Sequence, residues 1–332
     1  MDLPLIWVFI VGFAVLMYII CDGFDLGVGI VFPWIPNEHR PTAMTTVSPV
    51  WDGNETWLIM GAAMLYGAFP IAYSLLLPDL YIPLIFMLMA LIFRGVAFEF
   101  LFKANKKRIL WDISFTIGSW LTTFMQGMVL GTFIQGPIVI NGQNLSGPLH
   151  WLTPFSVFTG ISLVIGYGFL GAAWLILKTS DELQEWCYKL ARNLLILWML
   201  VMVAITIWTP YIDPFVIDRW FGYKRSVWVA IIPLFAATAM IWNFIEIKRR
   251  QHEKRPFILG IFVFVCAFAG LAISSLPYIV PHTITFRAAA ADSSTLLFLL
   301  IGTLVVLPII LVYFSYTYYV FRGKVTSHHE LH

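Results

Sequence analysis

LPLIWVFIVGFAVLMYIICDGFDLGVGIVF, residues 3–32, runs for nineteen residues from Leu3 to Cys21 without a charge and then meets Asp22 and Asp25. A bilayer core about 30 Å thick is crossed by about 20 mostly apolar residues in a helix. The stretch therefore reads as a membrane span that ends at Cys21 or continues to Phe32. The same pattern recurs near residues 57–77, 80–102, 112–135, 154–177, 193–212, 226–246, 257–280 and 294–321. Pro33 and Pro36, Pro78, Gly136-Pro137, Pro210 with Pro214, and Pro281 act as boundary signals. Pro83, Pro233, Pro277 and Pro308 fall inside or near span ends, where neighbouring helices tolerate them.

Composition agrees. Of 332 residues, 60% are hydrophobic and 11% charged, whereas soluble domains average about 45–50% and about 25%. Such a chain cannot cover a water-facing surface, and a soluble globular fold is excluded. A transmembrane β-barrel is excluded too, because its strands alternate apolar and polar residues over roughly 10 positions. The expected fold class is an all-α polytopic membrane protein with nine transmembrane helices. It forms a single integral membrane domain over 1–332, with spans one to four in about 3–135, spans five to eight in about 154–280 and span nine in about 294–321. The N-terminus lacks the basic region and cleavage site of a signal peptide and reads as a retained first span.

The net charge of +2 implies no nucleic-acid partner, and the charges matter by position. With the 103–111 loop in the cytoplasm, fifteen Lys and Arg fall on that side and four (Arg219, Lys224, Arg225 and Arg287) on the other. The positive-inside rule then puts the N-terminus outside and the C-terminus in the cytoplasm. The mixed-charge connector Lys178–Arg192 reads as a solvated helical face. The tail, with His328, His329 and His332, reads as a polar end.

Ionisable groups inside a span cost at least about 2.5–3.5 kcal/mol each on insertion scales, so those found there are functional candidates. Asp22 and Asp25 share a helix face at i, i+3 spacing, about 27 Å along the helix from Pro4. Gly23, Gly27 and Gly29 permit close helix approach. Two readings stand: a proton-relay or ion site, or solvated acids just beyond a span that ends at Cys21. In Trp51-Asp52-Gly53-Asn54-Glu55-Thr56-Trp57, Asp52 suits an N-cap with Glu55 completing a capping box. That explains the acids but not the Gly-Asn insert or the tryptophans, which read in part as interface anchors. Arg94 and Glu99, five residues apart, lie on different helix faces. Arg94 is deep enough to need a carboxylate, with Asp22 or Asp25 the candidate. Asp112 reads as another N-cap, and Glu246 as reaching water or the Lys248–Arg250 cluster.

The histidines His39, His150, His252 and His282 fall in loops or at span ends. Haem iron is usually held by His, Cys, Met or Tyr, and without a mid-span histidine pair no haem ligand is expected in this chain. Three isolated cysteines and no metal-ligand spacing leave the expected metal sites at none.

Taken together, Asp-Gly-Phe-Asp-Leu-Gly-Val-Gly at 22–29, Pro49-Val50-Trp51-Asp52-Gly53-Asn54 with Trp57, Phe93-Arg94 followed by Glu99, and Trp111-Asp112 followed by Gly118-Ser119 resemble subunit II of cytochrome bd-type quinol oxidases. The stretch 53–57 looks most like the cyanide-insensitive branch. The resemblance implies two four-helix bundles plus one peripheral helix. It also implies a heterodimer with a subunit I that holds haem b and haem d and the quinol site, in the bacterial cytoplasmic membrane. Subunit II in that family supports haem retention. In some members it helps line a cytoplasmic proton path and holds a structural quinone. Lipid, quinone and small single-helix accessory subunits are the further partners implied. Carried over by position, Trp51 and Asp52 match the motif whose acid lies in the proton path, with Glu55 standing where other members have Gln. Asp22 and Asp25 match paired acids tied to haem incorporation. Arg94, Glu99 and Asp112 match recurring structural positions. The competing reading is a proton- or ion-coupled secondary transporter, which favours acids near the midplane in matching halves.

The charge asymmetry yields a direct test. Reporter fusions after Lys107 and after Gly142 should report opposite sides of the membrane, and finding both on one side would break this topology.

Overall fold

The structure, a computed structural model, describes residues 2–101, 108–140, 142–212 and 226–325. Of the features above, Lys103, Lys106, Lys107, Arg219, Lys224, Arg225, Pro214 and the tail histidines lie outside the described residues. The long helices are α1 (Leu3–Val31), α2 (Trp51–Ala68), α3 (Pro70–Leu101), α4 (Arg108–Gln135), α5 (Pro154–Lys178), α6 (Asp181–Ile212), α7 (Ser226–Arg249), α8 (Arg255–Ser275) and α9 (Ser293–Val320). Eight of them, all but α2, are long and apolar enough to cross a membrane. The shorter α2 carries Asp52, Asn54 and Glu55 in its first turns, which interrupts its apolar stretch.

Local chemistry sets the ends. Asp2 accepts a hydrogen bond from the Leu5 amide at the start of α1, with Pro4 inside the first turn. Thr153 and Ser156 form a reciprocal capping box on α5. Gly136, at φ +73°, ends α4 as the sequence signal anticipated.

Several boundaries differ from expectation. Helix α1 does not end at Cys21 but continues to Val31 and a short 3-10 turn, Phe32–Trp34, which puts Asp22 and Asp25 in helix interior. The break expected at Pro78 lies instead at Phe69. Pro70 holds its predecessor out of the α region and opens α3, which runs on through Pro78 and Pro83. Pro210 likewise lies inside α6. Helix α8 stops at Ser275, before Pro277, and Tyr278–Val280 pairs antiparallel with Ile284–Thr285. A second short ribbon pairs Val139–Ile140 with Gln143–Asn144, so the connectors are not purely α.

The expected solvated connector is the start of α6, which buries Leu183, Cys187, Tyr188 and Ala191. Lys178 is itself buried, its ammonium donating to the Phe321 carbonyl and lying over Trp174. Beside it, Val325 N–H donates to the Lys178 carbonyl at 2.8 Å, and Lys324 pairs with Glu253 at 2.8 Å. That ammonium holds the Glu253 carboxyl below its ordinary range. Glu246, expected to reach water or the Lys248–Arg250 cluster, is buried and bound by Arg255 at 2.7 Å and the Trp242 indole at 3.0 Å.

Helix α1 packs on α2, α4 and α5; α3 packs on α4, α5 on α4 and α6, and α7 on α8, while α9 lies against α2 and α1. The closest crossing joins α1 to α5. A Cβ on Gly171 would lie 2.1 Å from the Gly27 carbonyl carbon, and one on Gly27 would lie 2.0 Å from the Tyr167 carbonyl oxygen. Only hydrogen at both positions allows the backbones to touch. The core is densest here: every residue from Cys21 to Phe32 is buried, as is every residue from Gly166 to Ile176.

Gly171→Leu should therefore push α1 and α5 apart and lower the thermal midpoint of the detergent-purified protein, at a cost of about 1–3 kcal/mol or more. Gly53→Ala, where nothing lies within 4 Å of the added Cβ, should be near neutral. Equal midpoints for the two variants would contradict this account of the crossing.

Candidate functional site

Arg94 projects from α3 into the bundle and is fully buried. Its Nη1 donates to Asp22 Oδ1 at 2.7 Å and to Glu55 Oε1 at 3.1 Å, and its Nη2 lies 3.6 Å from Asp25 Oδ2. The continuation of α1 past Cys21 decides this arrangement, because it presents both aspartates on one face, inside the core, opposite a guanidinium. The expected Arg94 partners are thus both present. Glu55 is a third that the capping reading concealed.

Asn54 completes the cluster. Its Nδ2 donates to Asp25 Oδ2 at 2.6 Å and to the Cys21 carbonyl at 3.1 Å, while its Oδ1 accepts from the Tyr318 hydroxyl of α9 at 2.8 Å. The unexplained Gly-Asn insert was the available sequence signal for Asn54. Tyr318 carried none, since 264 residues separate it from Asn54.

Trp51 stacks on Phe98, with ring centroids 4.8 Å apart and an interplanar angle of 10°. The Arg94 guanidinium lies 5.7 Å from the same Phe98 ring, a cation–π distance. Trp57 is buried, edge-on to Phe13 and Phe314, rather than an interface anchor. Gly118 of α4 admits α3 beside Arg94: a Cβ there would lie 2.8 Å from the Ala90 carbonyl oxygen.

The remaining candidates sit apart. Asp52 is exposed in the first turn of α2 and is not its N-cap, which is Val50. It still suits the positive end of the helix dipole. Asp112 is no cap either, because α4 begins one turn earlier at Arg108. It is buried and pairs with Arg40 at 2.9 Å. Glu99 is exposed. The histidines His39, His150, His252 and His282 lie in the connecting segments.

Chemically, three carboxylates surround one guanidinium, and only Glu55, with 21% of its side chain accessible, touches the outside. Buried charge persists only when paired and hydrogen-bonded, so Arg94 is the anchor of the cluster. Arg94 Nε and Nη2, Asp22 Oδ2 and Asp25 Oδ1 are buried without a hydrogen-bond partner among the described residues. Such atoms ordinarily bind ordered water. An ionisable, hydratable cluster with one edge toward solvent is suited to exchanging protons. Arg94 and Asn54 engage Asp22 Oδ1, Glu55 Oε1 and Asp25 Oδ2, which leaves Asp22 Oδ2 and Asp25 Oδ1 to water.

Arg94→Gln removes the cation and leaves its carboxylates unpaired, which should destabilise the fold by on the order of 3–5 kcal/mol. The loss would be read as a lower thermal midpoint and reduced yield of the membrane-inserted protein. Wild-type thermal behaviour of Arg94→Gln would mean that the carboxylates do not depend on it.

The family model for cytochrome bd terminal oxidase subunit II matches residues 3–321. The chain is 26% identical to cytochrome bd ubiquinol oxidase subunit 2 of Bacillus subtilis (strain 168), over 98% of this chain and 97% of that protein. It is 24% identical to cytochrome bd-I ubiquinol oxidase subunit 2 of Escherichia coli (strain K12), over 98% of this chain and 96% of that protein. Its fold is similar to a chain of bd oxidase from Geobacillus thermodenitrificans, with a TM-score of 0.76 and 19% identity, covering 94% of this chain and 96% of that one. A transporter gains no support from these likenesses, and the clustered acids lie toward one end of the bundle rather than in matching halves. The chain belongs to the cytochrome bd terminal oxidase subunit II family and is a multi-pass membrane subunit of a quinol oxidase complex.

Proposed function

We propose that this subunit seats against a haem-bearing subunit I in the bacterial cytoplasmic membrane and feeds that partner's oxygen chemistry with protons from the cytoplasmic side. In this reading α2 also crosses the bilayer, giving nine spans. Helices α1–α4 and α5–α8 form two four-helix bundles with α9 peripheral, the N-terminus outside and the C-terminus in the cytoplasm. Subunit I holds haem b and haem d, which supply the electron transfer and oxygen reduction.

The observation that carries the proton role is the alignment of acids along α2 and α1. Asp52 is exposed, Glu55 follows one turn later and is half-buried, and Asp22 and Asp25 lie behind it around Arg94. Reducing oxygen to water consumes protons. An apolar interior conducts them only through titratable groups and ordered water, and this column supplies both carboxyl groups and hydratable polar atoms. Trp51, stacked on Phe98, walls the entrance against lipid. Arg94 holds Asp22, Asp25 and Glu55 around one point, while Asp112 with Arg40 fixes the adjoining end of α4.

Asp52→Asn keeps size and hydrogen bonding but cannot relay a proton. It should leave assembly and haem spectra of the purified two-subunit complex intact while lowering oxygen consumption per haem by about tenfold or more, as expected for removal of a proton-transfer group. Full turnover in Asp52→Asn would remove Asp52 from the route and reduce it to a solvated acid on the α2 dipole.

A further inference from the structure

Beyond the Arg94 cluster, the same end of the bundle carries a basic pocket of about 100 Å³ between α6 and the end of α7, lined by Tyr188, Lys189, Arg192, Ile247, Lys248 and Arg250. Lys189, Arg192 and Lys248 are exposed, and none of the three forms an ion pair among the described residues. Lys248 lies over the Phe244 ring at 4.8 Å. Arg250 pairs with Glu185, and its guanidinium lies 5.2 Å over the Tyr188 ring. Of the other acids nearby, Glu246 is bound by Arg255 and Glu253 by Lys324 and Gln184, while Asp181 and Glu182 lie on the far side of Lys189 in a separate depression with Glu38.

The backbone at Arg250 is built for this placement. It takes φ +54°, and its N–H donates to the Glu246 carbonyl at 2.8 Å. That left-handed position after a helix usually belongs to glycine. Here an arginine occupies it, and the turn brings its side chain back over α6.

Depth and surroundings narrow the ligand. Below the cations, α6 exposes Ile196, Leu197 and Leu200, and α7 exposes Ile241, Trp242 and Ile245. At 1.5 Å per residue, Ile196 lies about 6 Å along the axis from Arg192, and Ile245 about 4.5 Å from Lys248. The cations therefore sit where an apolar, lipid-facing surface gives way to charge, which is the level of a phospholipid phosphate.

We propose that this pocket binds the phosphate headgroup of an anionic phospholipid, whose acyl chains lie along the exposed α6 and α7 faces. Basic pockets between membrane helices are established recognition elements for such headgroups. A general positive field would serve any cation at this end equally. The pocket predicts dependence on the residues that line it.

The test uses the two-subunit complex, stripped of lipid and titrated with cardiolipin or phosphatidylglycerol, with bound lipid counted by native mass spectrometry. Arg192→Gln and Lys248→Gln should each weaken retention roughly fivefold, the order expected for one basic residue at an anionic surface. Arg249→Gln, at a neighbouring cation outside the pocket, should leave retention unchanged. Phosphatidylcholine should bind poorly and inorganic phosphate should not compete. Haem content, read alongside, should be unaltered in all three variants, since these side chains are exposed. Equal loss in Arg249→Gln, unchanged retention in Arg192→Gln and Lys248→Gln, or displacement by inorganic phosphate would each overturn the proposal. The outcome is independent of turnover in Asp52→Asn.

Discussion

A guanidinium buried among apolar helices has to be met by carboxylates, and most of this architecture follows from satisfying Arg94. Its partners come from α1 and α2, and through Asn54 the cluster reaches Tyr318 on α9. The first three long helices and the distant α9 are thereby fixed to one point. An unpaired charge there would cost several kcal/mol, so alternative arrangements of these helices are penalised in a way that apolar packing alone, which is non-directional, could not enforce. The same requirement concentrates titratable groups at one place in the bundle.

Close backbone approach is the second constraint. The Gly27–Gly171 crossing brings α1 against α5 and joins the early helices to the later ones. In a bilayer, helices gain little from hiding apolar surface from lipid, so association rests on tight contact between small residues and on polar pairs. This protein uses both on the same stretch of α1: Gly27 lies two residues beyond Asp25 and faces α5, while the acids face α3 and α2. One half-helix thus serves the site and the bundle seam.

The ends of the bundle are held by a different chemistry. At one end Lys178, Glu253 and Lys324 tie the segment after α9 to the connectors of the later helices. At the other, Arg287 pairs with Asp2 and the Ala291 amide donates to the Ala68 carbonyl at 2.9 Å. The water-accessible pairs among them, Lys324–Glu253 and Arg287–Asp2, are individually weak. They organise connectors rather than the core, which leaves the buried cluster and the glycine crossing as the strong determinants.

Membrane fold class was legible in the sequence because the apolar blocks are long and the charges sparse, and both follow directly from the cost of placing polar groups in hydrocarbon. The need of Arg94 for an aspartate was legible for the same reason, and the family could be read from the motifs at 22–29, 49–57 and 93–119. What the sequence could not decide was continuity and direction. Whether α1 stopped at Cys21 or ran to Val31, and which of Pro70 and Pro78 broke the chain, depended on neighbouring helices that make an internal proline or a buried acid tolerable. Glu55, Asn54 and Tyr318 could be joined to Arg94 only in three dimensions, because residues on separate helices leave no spacing pattern. The local motif at Asp52 fitted a helix cap well enough to hide the partner that Glu55 had on another helix.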